Sequence, residues 1–235
     1  MVPLLVQRVV GTKVSEETRE LAASVGVRIS VLYSLIIGVM VANIASEYSD
    51  DVRRTYAEAV EIVRTDETLR SLDTAQAQAA RHALRAYVQS LIEEEWGQLH
   101  DGNFDPVTRG MFRNFQQVVH ALKSEARDAS GVYDLVQEHV SQLSEYRAHR
   151  FLVSNARGTS FIWLLGIVGF TALLVQFGFY SRSRSAYFLV SIFSIMQATV
   201  FFVALVASSP FSEPGAISPQ PLAQAIEFMD EYIHH

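Results

Sequence analysis

Apolar and charged stretches alternate along this chain in long blocks. Val27 to Ala45 reads VRISVLYSLIIGVMVANIA, with one charge, Arg28, at its start. Ser160 to Tyr180 and Ala186 to Ala207 carry no charge at all. A helix of about twenty apolar residues rises about 30 Å, the thickness of a bilayer's hydrocarbon core. The pattern therefore predicts an all-α membrane protein with three transmembrane helices, at 27–45, 160–180 and 186–207. Only Ser181 to Ser185 joins the last two, which forces an antiparallel hairpin. Trp163, Tyr180 and Tyr187 lie near span ends, as interfacial aromatics do, and Pro210 stops the last helix.

Residues 46–157 carry the charges and show helical periodicity throughout, predicting a water-facing inserted bundle of about four helices. Val52, Tyr56, Val60 and Val63 share one face of a helix that continues from the first span. Asp73 with Gln76 forms a capping box before a helix carrying Ala77, Ala80, Leu84, Val88, Leu91 and Trp96. His100-Asp101-Gly102-Asn103 breaks it, and Pro106 opens a helix burying Met111, Phe112, Phe115, Val119 and Leu122. After Ser130-Gly131 a last helix carries Val132, Val136, Val140, Leu143 and Tyr146. Residues 208–235 form a strap and a short amphipathic helix, capped by Ser218 with Pro219 in its first turn. Residues 1–26 are either an interfacial segment or the remainder of a longer hydrophobic segment.

Composition removes several classes of function. There is no cysteine, hence no disulfide framework, thiolate chemistry or thiolate-held metal. The net charge is -6 and no basic stripe exists, so nucleic acid is not an expected partner. The histidines share no metal-ligand spacing with carboxylates, and no phosphate loop or nucleophile motif occurs. No enzyme and no resident cofactor is expected. Calcium or another bound ion enters at one place only, an acidic exit of Glu47, Asp50 and Asp51 beyond the first span. Repeated around a ring, these carboxylates form a negative collar; singly, they are an ordinary charged helix exit.

The first span is the least ordinary. Ser30, Ser34, Gly38, Ala42 and Ser46 recur every four residues, a small-residue stripe along which helix backbones approach closely. Tyr33, Met40, Asn43 and Glu47 occupy another face. Asn43 is a polar amide deep in an apolar span, either bonded to a neighbouring helix or lining a pore. Gly166 and Gly169 predict close helix contact in the second span. Basic residues Arg8, Lys13, Arg19, Arg28, Arg182 and Arg184 place the N-terminus and the hairpin loop in the cytoplasm and the bundle outside.

The run Pro210-Phe211-Ser212-Glu213-Pro214-Gly215-Ala216-Ile217-Ser218-Pro219-Gln220-Pro221-Leu222 follows the last span, and Arg85-Ala86-Tyr87-Val88 and Glu94-Glu95-Trp96 lie in the insert. These motifs and the layout resemble the bestrophin-like domain family, over most of the chain. That family takes its name from bestrophins, pentameric anion channels whose second span forms the pore. The resemblance implies a homo-oligomeric ring, a pentamer by analogy, in the inner membrane of a bacterial-type cell. Its pore would be lined by the first span here, through Arg28, Ser30, Tyr33, Ser34, Ile37, Gly38, Val41 and Asn43. It also implies a cytosolic bundle, opposite to the charge count. The chain departs from bestrophins in lacking a complete preceding span and an aromatic-rich pore neck; only Tyr33 is aromatic there.

Two functional classes fit these observations. One is an ion channel assembled as a ring in the lipid bilayer and passing inorganic ions. The other is a membrane-tethered sensor or scaffold whose bundle binds a ligand or partner protein, a layout shared with chemoreceptor sensor domains.

Overall fold

The first helix among the described residues begins at a side-chain cap. Ser15 Oγ accepts the Thr18 amide at 3.2 Å, and Glu16 and Glu17 place negative charge against the amide end of the helix dipole. In the computed structural model, which describes residues 15–124, 130–155, 160–177 and 183–231, this helix, α1, runs unbroken over Glu16–Arg70 for 55 residues. It starts well before Val27, so residues 16–26 belong to the same helix as the expected first span. Residues 1–14 lie outside the described residues, and with them the expectation for the chain's first segment.

The remaining helices are α2 (Ala75–Ser90), α3 (Pro106–Ala121), α4 (Ser130–Asn155), α5 (Ser160–Phe177), α6 (Arg184–Ala207) and α7 (Gln220–Glu231). Short wide and tight turns extend α2 through Leu91–Glu95 and Trp96–Asp101, and Leu122–Ser124 extends α3. Among the described residues there is no strand. Among the described residues two helices, α1 and α6, are long and apolar enough to cross a membrane, and α5 holds a shorter apolar stretch, Gly166–Val175. The predicted end of the second span and the loop after it, 178–182, fall outside the described residues.

The chain divides into two compact units. The first takes the chain up to Glu47 together with Arg157–Ser208. Its core is Tyr33, Ile37, Met40 and Ile44 of α1 packed with Leu173 of α5 and Ala204 of α6. The residues of α1 recur at three- and four-residue intervals, so a single stripe of the helix is covered. Leu32, Leu35, Val39, Leu189, Ile195 and Met196 stay exposed, as side chains facing lipid would. Tilted and stacked ring pairs, Trp163 with Phe201 and Phe170 with Phe193, bring α5 against α6.

The second unit is the bundle: Tyr48–Ala156 together with the chain from Ser209. Ile62, Leu69, Leu84, Tyr87, Phe115, Val136 and Leu143 make its core, which Leu222, Ala225 and Met229 of α7 join. The C-terminal helix thus completes the bundle instead of standing apart from it. Three sequence expectations shift here. The covered face of α1 carries Thr55, Glu58, Ala59, Ile62, Thr65 and Leu69, whereas Tyr56 and Val60 are exposed. Val52 and Val63 of the expected stripe are half-buried against the core, so the covered face overlaps that stripe only in part, and half of it is polar. Thr74, not Asp73, caps α2, its hydroxyl accepting the Ala77 amide at 3.1 Å while Asp73 takes a left-handed φ of 45°. Met111 is exposed, while Phe112, Phe115 and Val119 are buried as expected.

The punctuation residues act where chemistry requires. Asp105 caps α3 by accepting the Thr108 amide at 2.6 Å, with Pro106 at the position that needs no amide partner. Gly102 adopts φ 70° to end the preceding turn, a conformation that costs a Cβ-bearing residue.

Candidate functional site

Within the membrane-type unit, the expected pore residues divide by face. Tyr33 and Ile37 are buried within the chain. Tyr33 lies over Gly169, where any Cβ would overlap its ring, and its hydroxyl donates to the Gly166 carbonyl at 3.0 Å. Gln197 of α6 donates to the same hydroxyl at 3.2 Å. Tyr33 is therefore a tie between three helices, and its phenol is satisfied where no water need reach it. Val41 and Ser30 are half-buried, and the Ser30 hydroxyl donates to the Val27 carbonyl at 2.9 Å. Arg28, Ser34, Gly38 and Asn43 are exposed, as are Ala42 and Ser46 of the small-residue stripe. Nothing lies within 4 Å of where a Gly38 Cβ would stand. A Cβ at Gly166 would come within 2.6 Å of the Phe201 ring, so Gly166 and Gly169 both mark close helix contact, as their placement in an apolar run predicted.

The acidic exit also divides. Glu47 is exposed, and Asp50 is exposed with Arg53 at 3.6 Å. Asp51 turns into the bundle, 2.8 Å from Nε2 of His149. Among the described residues no group of three metal-ligating side chains gathers in one chain.

The bundle holds a charge network that hydrophobic periodicity did not reveal. Along the covered stripe of α1 stand Glu58, Glu61, Thr65 and Asp66, all buried. Glu58 pairs with Arg150 of α4, whose Nη2 lies 3.3 Å from the Tyr87 hydroxyl of α2. Glu61 meets His139, and Asp66 receives Arg81 at 2.7 Å and Arg70 at 2.9 Å. Glu95, with no exposure, accepts from Arg147 of α4 at 3.0 Å. Its second oxygen, one Glu58 oxygen and the Arg150 Nε are buried with no hydrogen-bond partner among the described residues. Over the wide turn Leu91–Glu95 and the residue after it, Leu91, Glu95 and Trp96 are buried while Glu93 and Glu94 stay exposed.

Burial sets the electrostatics. Desolvation pushes the Tyr87 phenol up to about 12, against the opposing pull of Arg150 and Arg147. Burial likewise raises the Glu95 carboxyl above its ordinary range, with Arg147 and Arg150 opposing. For Arg150, burial disfavours the charge, but the Glu58 carboxylate and Tyr87 outweigh it and the pKa is raised further. An alkaline melt reads this directly. A raised folded-state pKa contributes stability that is whole below pH 10 and is lost as pH rises through about 12. Melting temperature should therefore fall across that window in the wild type, and a Tyr87→Phe variant should lose this part of the decline.

The strap is tied to the same place. Trp96 Nε1 donates to the Ile217 carbonyl at 2.9 Å, Phe211 meets the Trp96 ring edge-on at 5.7 Å, and the Tyr48 hydroxyl donates to the Gly215 carbonyl at 3.1 Å. Arg85 pairs with Asp230 of α7. The motif residues Arg85, Tyr87, Glu95 and Trp96 thus share one assembly with the proline-rich strap. Sequence reasoning missed Glu58, Arg147 and Arg150. The available signal for Glu58 was the three- and four-residue recurrence of polar side chains at 55, 58, 61 and 65.

These features define an all-helical protein with membrane-type apolar helices and a helical bundle closed by a C-terminal strap. The chain belongs to the bestrophin-like domain family, whose model matches residues 2–222. Among solved structures it resembles two single-substitution variants of a bacterial bestrophin homologue from Klebsiella pneumoniae. Each is 12% identical with a TM-score of 0.72, covering 100% of this chain and 96% of that one. A further structure, described as a membrane protein carrying one substitution, matches at 12% identity and a TM-score of 0.70, covering 100% and 95%. At such identity the likeness establishes the shared fold. No curated protein matches the sequence.

Proposed function

We propose that the protein is a homo-oligomeric membrane ion channel in which α1 lines the pore, with three membrane spans, α5 and α6 forming a supporting hairpin. The observation that carries this reading is the division of α1. One stripe, Tyr33, Ile37, Met40 and Ile44, is consumed by packing within the chain. The stripe of Ser34, Gly38, Ala42 and Ser46, with Asn43 beside it, is left exposed by the described residues. Small and polar side chains gain little from lipid, and they suit close approach of a second α1 or a water-filled path. Family membership and the bestrophin fold support the same class, and anion conduction and a five-fold ring follow by analogy alone. The pore face is Arg28, Ser34, Gly38 and Asn43, with Ser30 and Val41 at its edge; Tyr33 and Ile37 are left out.

Self-association has a second support in the bundle. Tyr56 and Val60 of α1 and Phe228 of α7 are exposed beside one another along an apolar groove of about 470 Å³. Exposed apolar surface of this kind outside a membrane marks a contact face. Glu47 and Asp50 from several copies would form the acidic collar, and calcium would be held there only by carboxylates from more than one chain.

Purified protein in proteoliposomes under opposed chloride and potassium gradients should carry current whose reversal potential identifies the ion. E47Q/D50N should shift that potential toward the chloride value, since removing negative collars favours anions. A protein that conducts nothing across voltage, pH and calcium overturns the reading.

A further inference from the structure

Three arginines and three phenylalanines converge on one cleft in the bundle. Arg109, Arg113 and Gln116 stand at three- and four-residue intervals on α3, hence on one face of it. Ser144, Arg147 and Phe151 do the same on α4. Between these faces lies a cleft of about 370 Å³ whose surface is mainly apolar, with Phe104 and Phe112 in its wall. That volume falls within the roughly 300–1,000 Å³ range of small-molecule sites.

Among the described residues, the charges in the cleft are all of one sign. Arg109 and Arg113 are exposed and in no ion pair among the described residues. Arg147 gives one nitrogen to Glu95 behind it, while its guanidinium stands 5.4 Å from the centres of the Phe104 and Phe112 rings. Among the described residues no carboxylate lines the cleft, although the chain as a whole has a net charge of -6. The Phe104 and Phe151 rings meet at 4.7 Å, which fixes an aromatic floor beside the cations. Guanidinium groups bind carboxylates through paired N–H donors, and aromatic rings bind an apolar body.

We propose that this cleft is a binding site for a small amphipathic organic anion, a carboxylate carrying an aromatic or short acyl body. The carboxylate bridges Arg109 and Arg113, and the body lies against Phe104 and Phe151. Gln116 and Ser144, already bonded to each other at 3.3 Å, offer polar edges that orient the carboxylate. The assignment stands on the bundle alone and is independent of whether the membrane helices conduct.

The test uses the full chain in nanodiscs of phosphatidylcholine, with phenylpropionate as probe, its neutral amide as control, and saturation-transfer NMR and calorimetry as readouts. Phenylpropionate should bind in a saturable manner and the amide about tenfold or more weakly, as loss of a charge-assisted contact requires. R109Q/R113Q should lose at least about tenfold in affinity with the melting temperature unchanged, because both side chains lie outside the core. The proposal is overturned by no binding, by equal binding of the amide, by equal binding by the double variant, or by inorganic phosphate competing as strongly as the organic acid. Displacement of the probe merely by moving to phosphatidylglycerol nanodiscs would assign the cleft to a lipid headgroup and overturn the soluble ligand.

Discussion

Arg150→Met is expected to destabilise the bundle by about 3–5 kcal/mol, enough to abolish recovery of folded protein from many hosts. The reason is what remains behind. Arg150 and Glu58 are both nearly inaccessible, and Glu58 already has one oxygen without a partner. Removing the guanidinium strands a carboxylate in a medium that cannot solvate it, and also takes away the group 3.3 Å from the Tyr87 hydroxyl. Glu58→Leu combined with Arg150→Met removes both charges and should recover most of the loss, since buried pairs repay their desolvation poorly. The check is a double-mutant cycle on thermal melts in nanodiscs. A single substitution costing no more than a surface change would show that water reaches the pair.

The second large effect lies in the membrane-type unit. Gly169→Leu should push Tyr33 from its place, because even a Cβ at that position overlaps the ring. Overpacking costs about 1–3 kcal/mol. Here it also breaks the hydroxyl's contacts with Gly166 and Gln197. Because Tyr33 ties α1 to α5 and α6, the proposed channel should lose conductance in this variant as well as melting temperature. Gly169→Leu with Tyr33→Ala vacates the space and should regain part of both. Planar-bilayer recordings beside melts separate the two losses. Full conductance with Gly169→Leu would mean that the packing of α1 does not position the pore.

Much of the architecture was legible from the chain because helices and spans are local. A run such as SVLYSLIIGVMVA needs no partner to be apolar, and the turn around Gly102 and the helix start at Pro106 are set within three or four residues. Gly166 and Gly169 also announced themselves, since glycine in an apolar helix has few purposes besides close approach. The strap was legible as a fixed segment with Phe211 as its anchor, and the structure supplies the Trp96 ring it meets.

The rest required knowing which side of each helix is covered. On α1, Tyr56 and Val60 are more apolar than Glu58 and Thr65, yet the polar pair is inside. Arg150 arrives from 92 residues away to neutralise Glu58, and no local pattern records that meeting. Glu95 is buried while Glu93 and Glu94 are exposed, and its partner Arg147 lies 52 residues away. Tyr33 carried the same sequence signal as a pore aromatic and turned inward because Gly169 leaves room for its ring. Hydropathy and glycine spacing, then, determined the membrane class, the inserted bundle and the contact points. Tertiary structure alone decided which face of α1 is left for a neighbour or a pore, because burial of a charge or a ring depends on partners distant in sequence.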